Sequence, residues 1–206
     1  MGKEFAVSEE EKKNLDRHLP LISTINNQEL RNKVYGLLAR ALRESPYRDI
    51  CEVPNFTTKL MGGPDDETFV RHTRTVTNAV VAFAREFQSA YGFNIDYDVL
   101  LAGVILHDID KLLLYKRKGK IVELTATGGK KIHGQYGARM AEDAGFPEAV
   151  VNIIASHSPT AGTVLPASIE AVIVGCCDAG VFQCYRLMTG RGLWRKSESL
   201  GPGNFR

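Results

Sequence analysis

Residues 99–111 read VLLAGVILHDIDK: an unbroken apolar run that ends in a His-Asp doublet, with a lysine one turn further on. Extended in both directions, the segment 96–114 reads as one helix that is apolar on most sides. A helix of that kind lies at the centre of its domain. His107 and Asp108 terminate its most apolar part, so the sequence carries an imidazole and a carboxylate into the core.

Helical periodicity continues on both sides. Residues 67–90 place Val76, Ala79, Val80, Phe83, Ala84 and Phe87 on one stripe, with Asp65 or Asp66 positioned as the cap and Thr68 and Phe69 just inside. Further helices are expected at 132–144, 147–157 and 166–188, with Gly145 as a C-terminal cap and Pro147 as a helix start. Near the N-terminus, 9–19 and 27–44 read as helices, the second with Leu30, Val34, Leu37, Leu38, Ala41 and Leu42 inward and Ser45-Pro46 as its stop. Residues 45–66 are rich in Pro and Gly and read as a long loop. Residues 115–131 form a basic, glycine-containing connection with a β-prone piece at 121–124. No segment shows sustained strand alternation, so the expected class is all-α. The expected organisation is a helical extension and loop over 1–64, a helical bundle over 65–189 and a loosely held tail over 190–206.

Composition narrows the function. The 206 residues suffice for one domain with a substantial core, and the net charge of +2 is far from that of a dedicated nucleic-acid binder. The first residues contain no apolar run suited to a signal peptide, and the stretch 99–106 is too short to span a bilayer. Cys51, Cys176, Cys177 and Cys184 form no C-x-x-C pair and are expected to be reduced thiols in a cytoplasmic protein.

The chemistry lies in the inward-facing polar residues. His72 shares the face of Val76 and Val80. His133 lines up with Gly137, Met140 and Ala144, and His157 follows Val150, Ile153 and Ile154 at helical spacing. Asp178 sits with Val174, Val181 and Phe182 in a run almost free of charge, where an unpartnered carboxylate is costly. Imidazole nitrogen and carboxylate oxygen from separate helices suit Fe, Mn, Co, Ni or Zn.

This ordered set resembles the HD-domain superfamily. The carrying residues are His72, HDIDK at 107–111, His133 in KIHGQYGARMAEDAGFPEAV, His157 in IIASHS and Asp178 in VGCCDAG, which together span roughly 65–185. The resemblance implies a helical bundle in which His72, His107, Asp108 and Asp178 hold one metal and Asp108 bridges to a second held by His133 and His157. Divalent or mixed-valent ions, Fe or Mn first and Ni, Co or Zn after them, are the implied cofactors. It also implies that Lys111 contacts an anionic or hydroxylated substrate. Asp110 stands where the family commonly has glycine, and it is open whether it pairs with Lys111, supports a ligand or faces water.

Arg74, Lys131 and Arg139 are further candidates for binding an anionic substrate, as is the basic run from Lys116 to Lys120. The function implied is a metal-dependent phosphohydrolase acting on a small phosphoester or nucleotide, without nucleic-acid or membrane partners; a homodimer is left open. The GYP signature of cyclic-dinucleotide hydrolases is absent. The alternative on the same ligand set is a mixed-valent diiron oxygenase acting on a small polar substrate.

Overall fold

The computed structural model describes residues 6–158 and 164–194, and the fold is a helical bundle with one small hairpin. Helix α1 (Glu9–His18) opens with a capping box, in which Ser8 Oγ accepts from Glu11 N at 3.2 Å and the Glu11 carboxylate accepts from Ser8 N at 2.8 Å. A 3-10 turn (Pro20–Thr24) leads to α2 (Gln28–Glu44), capped by Asn27. The expected loop 45–66 is ordered by a second 3-10 turn (Ile50–Glu52) and the short helix α3 (Thr58–Met61). It is fixed further by Phe69 N donating to Val53 O and Asn55 N donating to Glu67 O.

Helix α4 (Phe69–Tyr91) is capped by Thr68, whose Oγ1 accepts from Arg71 N at 3.2 Å. The expected Asp65 cap is displaced because that carboxylate is already used by Glu67 N, the Tyr185 hydroxyl and Arg191. The buried stripe of α4 is Phe69, His72, Val76, Val80 and Ala84. Phe83 is 48% exposed and stacks with Phe87, which in turn meets Tyr91 at a tilt, on the outer face beyond the reach of the core.

The decisive segment is indeed central, but it forms two helices rather than one. Helix α5 (Tyr97–Leu106) buries every residue from Leu100 to Leu106. Each fully buried Leu, Ile or Val here stabilises the fold by about 1.5–3 kcal/mol. The chain then tightens: Ile109 N donates to Leu106 O and Lys111 N to Asp108 O, three residues back, before α6 (Lys111–Leu114). His107 contributes to the break, since its Nδ1 donates to Val104 O at 2.6 Å and occupies a carbonyl that a continuing helix would use. The tightened turn directs His107 and Asp108 inward together.

Strands β1 (Tyr115–Lys118) and β2 (Ile121–Leu124) pair antiparallel, with Tyr115 opposite Leu124 and Lys118 opposite Ile121. The β-prone piece thus has a partner within the basic run; Lys116 and Lys118 both reach Glu123. Helix α7 (Gln135–Asp143) starts later than the periodicity predicts, leaving His133 outside it. Gly134 takes φ +78°, a conformation open to glycine, and the N–H groups of Gly134 and Gly137 donate to Asp110. Helix α8 (Glu148–Ser156) ends at His157, and α9 (Ile169–Met188) starts from Ser168.

Helix α9 packs on α4, α5 and α8 and is long and apolar enough by composition to cross a membrane, with Asp178 halfway along it. Where α5 meets α8, a Cβ on Gly103 would lie 2.6 Å from Ile153 Cδ1, so the contact requires glycine. One core joins Leu15, Ile22, Leu37 and Leu38 of the N-terminal segment to Leu101, Ile105, Ile109 and Ile154. Residues 191–194 are tied to the bundle through Arg191 to Met61 O and Pro64 O and through Trp194 to Gln183; residues 195–206 of the expected tail lie outside the described residues.

Candidate metal centre

The bundle brings His72, His107, Asp108, His133, His157 and Asp178 together. His72 projects from α4 and Asp178 from α9, with Nε2 to Oδ1 at 2.9 Å. His107 and His157 occupy equivalent places, each just past the end of an apolar helix, and each donates Nδ1–H to the carbonyl three residues back, Val104 O at 2.6 Å and Ile154 O at 2.7 Å. A carbonyl can only accept, so Nδ1 carries a proton in both rings, and the neutral form of each ring presents its lone pair at Nε2. Both Nε2 atoms are buried without a hydrogen-bond partner.

Asp108 stands between them. Its Oδ2 lies 3.5 Å from His72 Nε2 and 3.2 Å from His107 Nε2. Its Oδ1 lies 3.2 Å from His133 Nε2 and 3.6 Å from His157 Nε2. Each carboxylate oxygen therefore faces its own pair of histidines. The donor atoms fall into two compact groups, His72 with His107 and Asp108, and Asp108 with His133 and His157. The orphaned nitrogens and the mixed N/O set fit transition-metal ions.

Electrostatics support the same reading. Burial alone would raise the Asp108 carboxyl, but the charges of His107 and Lys111 outweigh it and hold the group well below its ordinary value. Asp178 is lowered to about 2, burial being outweighed by the hydrogen bond and charge of His72. His133 is raised to about 9, the Asp110 and Asp108 carboxylates overcoming its burial. The centre thus demands positive charge, which protons on imidazole and the Lys111 ammonium supply where cations would.

The remaining expected residues separate clearly. Lys111 is buried and donates to Asp108 Oδ2 at 2.6 Å and Asn55 Oδ1 at 3.2 Å, with the Phe56 ring 5.0 Å away. Arg74 is exposed, roughly 200° round α4 from His72, and lines a groove with Leu21, Asn78 and Ile105 instead. Arg139 is exposed and pairs with Glu142 and Asp143 on its own helix. Lys131 lies over the Tyr136 ring at 5.5 Å. None of these three forms a hydrogen bond or ion pair with the six clustered His and Asp residues.

Asn55, Phe56 and Asp110 complete the site. Phe56 meets His72 edge-on at 5.6 Å. Asp110 is fully buried, with Oδ1 2.8 Å from His133 Nδ1 and Oδ2 accepting from Gly134 N and Gly137 N. It therefore neither faces water nor pairs with Lys111 but fixes the His133 ring and aims Nε2 at Asp108. The doublet's spacing hinted at Asp110; nothing periodic marked Asn55 or Phe56, which lie in the irregular segment 45–66.

A family model, the HD domain, matches residues 69–179. The chain is 28% identical over 172 residues to the dihydroneopterin 2',3'-cyclic phosphate phosphodiesterase of Methanocaldococcus jannaschii, covering 80% of this chain and 67% of that protein. No solved structure gives a significant match.

Proposed function

The chain belongs to the HD domain family, and from that premise we propose a phosphoester hydrolase with two metal ions that acts on a small cyclic phosphodiester. It is a metal-dependent phosphoester hydrolase; the second ion and the cyclic substrate are what we add to that. The observation that carries the two-ion reading is the division of Asp108, one oxygen toward His72 and His107, the other toward His133 and His157. The cyclic phosphodiester class is carried over from the name of the Methanocaldococcus relative.

His72, His107, Asp108 and Asp178 would hold one ion, and Asp108, His133 and His157 the other, with Fe or Mn the first candidates. Bound there, the ions would supply Lewis acidity for the phosphoryl oxygens and a water acidic enough to attack phosphorus at neutral pH. The protein's own part is positioning. Nδ1 anchors on Val104 O, Ile154 O and Asp110 fix the His107, His157 and His133 rings, so no reorientation is needed during the reaction. Lys111 holds a fixed positive charge at the edge of the ligand set, where a phosphoryl oxygen develops negative charge. Phe56 closes the wall beside His72 and keeps bulk water from the ammonium. Attack by water would break one of the two ester P–O bonds and leave a phosphomonoester.

The test is a panel of cyclic phosphodiesters and phosphomonoesters, assayed with and without dioxygen on protein of defined metal content. Ester hydrolysis that persists without oxygen and disappears in Asp108→Ala is expected. Substrate-dependent oxygen consumption by the diiron form, with no ester cleaved, would overturn the proposal in favour of oxygenase chemistry.

A further inference from the structure

A second constellation of metal-type donors lies in the N-terminal segment and shares no residue with the centre described above. His18 is the last residue of α1; Asp49 and Cys51 flank Ile50 at the 3-10 turn, more than thirty residues later in the sequence. The Cys51 thiol lies 3.1 Å from His18 Nδ1 and 3.3 Å from Nε2, and His18 Nε2 lies 3.9 Å from Asp49 Oδ1. All three side chains offer a donor atom within 4.8 Å of the others. From this geometry we infer a binding site for a single borderline-soft divalent ion, zinc in the first place, held by His18, Asp49 and Cys51.

The separations suit that ion. Zinc binds sulfur at about 2.3 Å and imidazole nitrogen or carboxylate oxygen at about 2.0–2.2 Å, so tetrahedral donors lie roughly 3.3–3.7 Å apart. The observed S···N and N···O distances of 3.1 and 3.9 Å bracket this range, and a turn of the partly exposed His18 ring about its side-chain bonds would bring the three donors to one ion. The sulfur is almost equidistant from both ring nitrogens, so it lies over the face of the imidazole, and the ring must turn to direct one nitrogen's in-plane lone pair at a shared ion. A thiolate, an imidazole and one carboxylate form a set for zinc or cobalt, whereas magnesium and calcium require oxygen throughout. Three protein ligands leave a fourth position for water. Binding displaces the thiol proton to solvent.

The frame that carries the donors is rigid. Leu15 and Leu19 beside His18, and Ile50 between Asp49 and Cys51, are buried in one core. Asp49 Oδ1 also accepts from Cys51 N at 2.9 Å, which holds the turn in shape. Cys51 is exposed, and Asp49 lines a cleft with Asn14, Arg17 and Arg48, so an ion has a route in. An ion here would tie the end of α1 to the strand-like segment that delivers Asn55 and Phe56 to Lys111.

Cobalt is the probe, because a thiolate ligand gives a charge-transfer absorption that a centre made only of nitrogen and oxygen does not. Titrating the full chain, its bundle centre already loaded with metal, with Co2+ should give this absorption at an amplitude of one thiolate-bound cobalt per chain. It should vanish in Cys51→Ser, weaken at least tenfold in His18→Ala, and survive in a variant with Cys176, Cys177 and Cys184 changed to serine. Absence of the band in the unaltered protein, or its persistence in Cys51→Ser, would overturn the inference. A measurement that needs no variant stands beside it: zinc should protect Cys51 from alkylation while exposed Cys176 and Cys184 still react, and equal labelling of Cys51 with and without zinc would overturn it too.

Discussion

Asp110→Asn replaces a single oxygen, yet on the proposed two-ion reading it is expected to weaken binding of the second ion about 10–100-fold. In the native site Oδ2 of Asp110 accepts from Gly134 N at 2.8 Å and Gly137 N at 3.2 Å, while Oδ1 faces His133 Nδ1 at 2.8 Å. An asparagine has one acceptor and one donor to distribute over these places. Aiming its NH2 at the glycines would leave two buried N–H groups unsatisfied, at about 1–3 kcal/mol each. The amide oxygen therefore stays with the glycines, and the NH2 turns to His133. Nδ1 must then accept, the ring's proton moves to Nε2, and the lone pair directed at Asp108 is lost. Replacement of a carboxylate that supports a ligand typically costs 10–100-fold in metal affinity, about 1.4–2.7 kcal/mol. Metal titration of Asp110→Asn should show one site unchanged and the other weakened by that factor, with 15N NMR reporting the proton on Nε2 of His133. Two ions bound with native affinity, or a proton still on Nδ1, would refute the reasoning.

Other perturbations separate ligand, substrate and packing roles. Asp108→Asn should lose both ions, read by elemental analysis, and full occupancy would contradict the shared ligand; Asp108→Ala should in addition destabilise the fold by about 3–5 kcal/mol, because it strands buried Lys111 without its partner. Lys111→Ala should lower turnover while metal content stays native, and unchanged kinetics would remove it from the reaction. Gly103→Ala should cost about 1–3 kcal/mol, since its Cβ would overlap Ile153, and this is measurable as a lower urea midpoint. Thr68→Ala should cost about 1 kcal/mol through loss of the α4 cap, a fall in Tm of roughly 2–4 °C for a chain of this size.

What the sequence revealed and what it hid follow from one distinction. Periodicity reports which side of an element is buried, so it found the central helix, the inward faces of α4 and α9, and the all-α class. It does not report where an element stops when the stop is made by a contact from elsewhere. His133 reads as helical because Gly137, Met140 and Ala144 follow it at the right spacing. The helix nevertheless begins after it, because Asp110 occupies the N–H groups of Gly134 and Gly137 from 24 and 27 residues away. The same limit concealed Asn55 and Phe56, whose positions depend on the hydrogen bonds between 53–55 and 67–69. It also does not report direction for a charged residue: Arg74 lies roughly 200° round α4 from His72, and Arg139 pairs with Glu142 and Asp143 on α7.

The break at His107 gives the distinction its chemical meaning. An uninterrupted helix sends neighbouring side chains about 100° apart, which would turn Asp108 away from the ring beside it. The tightened turn instead sets Asp108 Oδ2 3.2 Å from His107 Nε2 and leaves Oδ1 for His133 and His157. The departure from helical periodicity at HDID is therefore what allows one carboxylate to face two pairs of histidines. Asp110, two residues on, closes the arrangement by anchoring the ring on the far side of the carboxylate it shares a turn with.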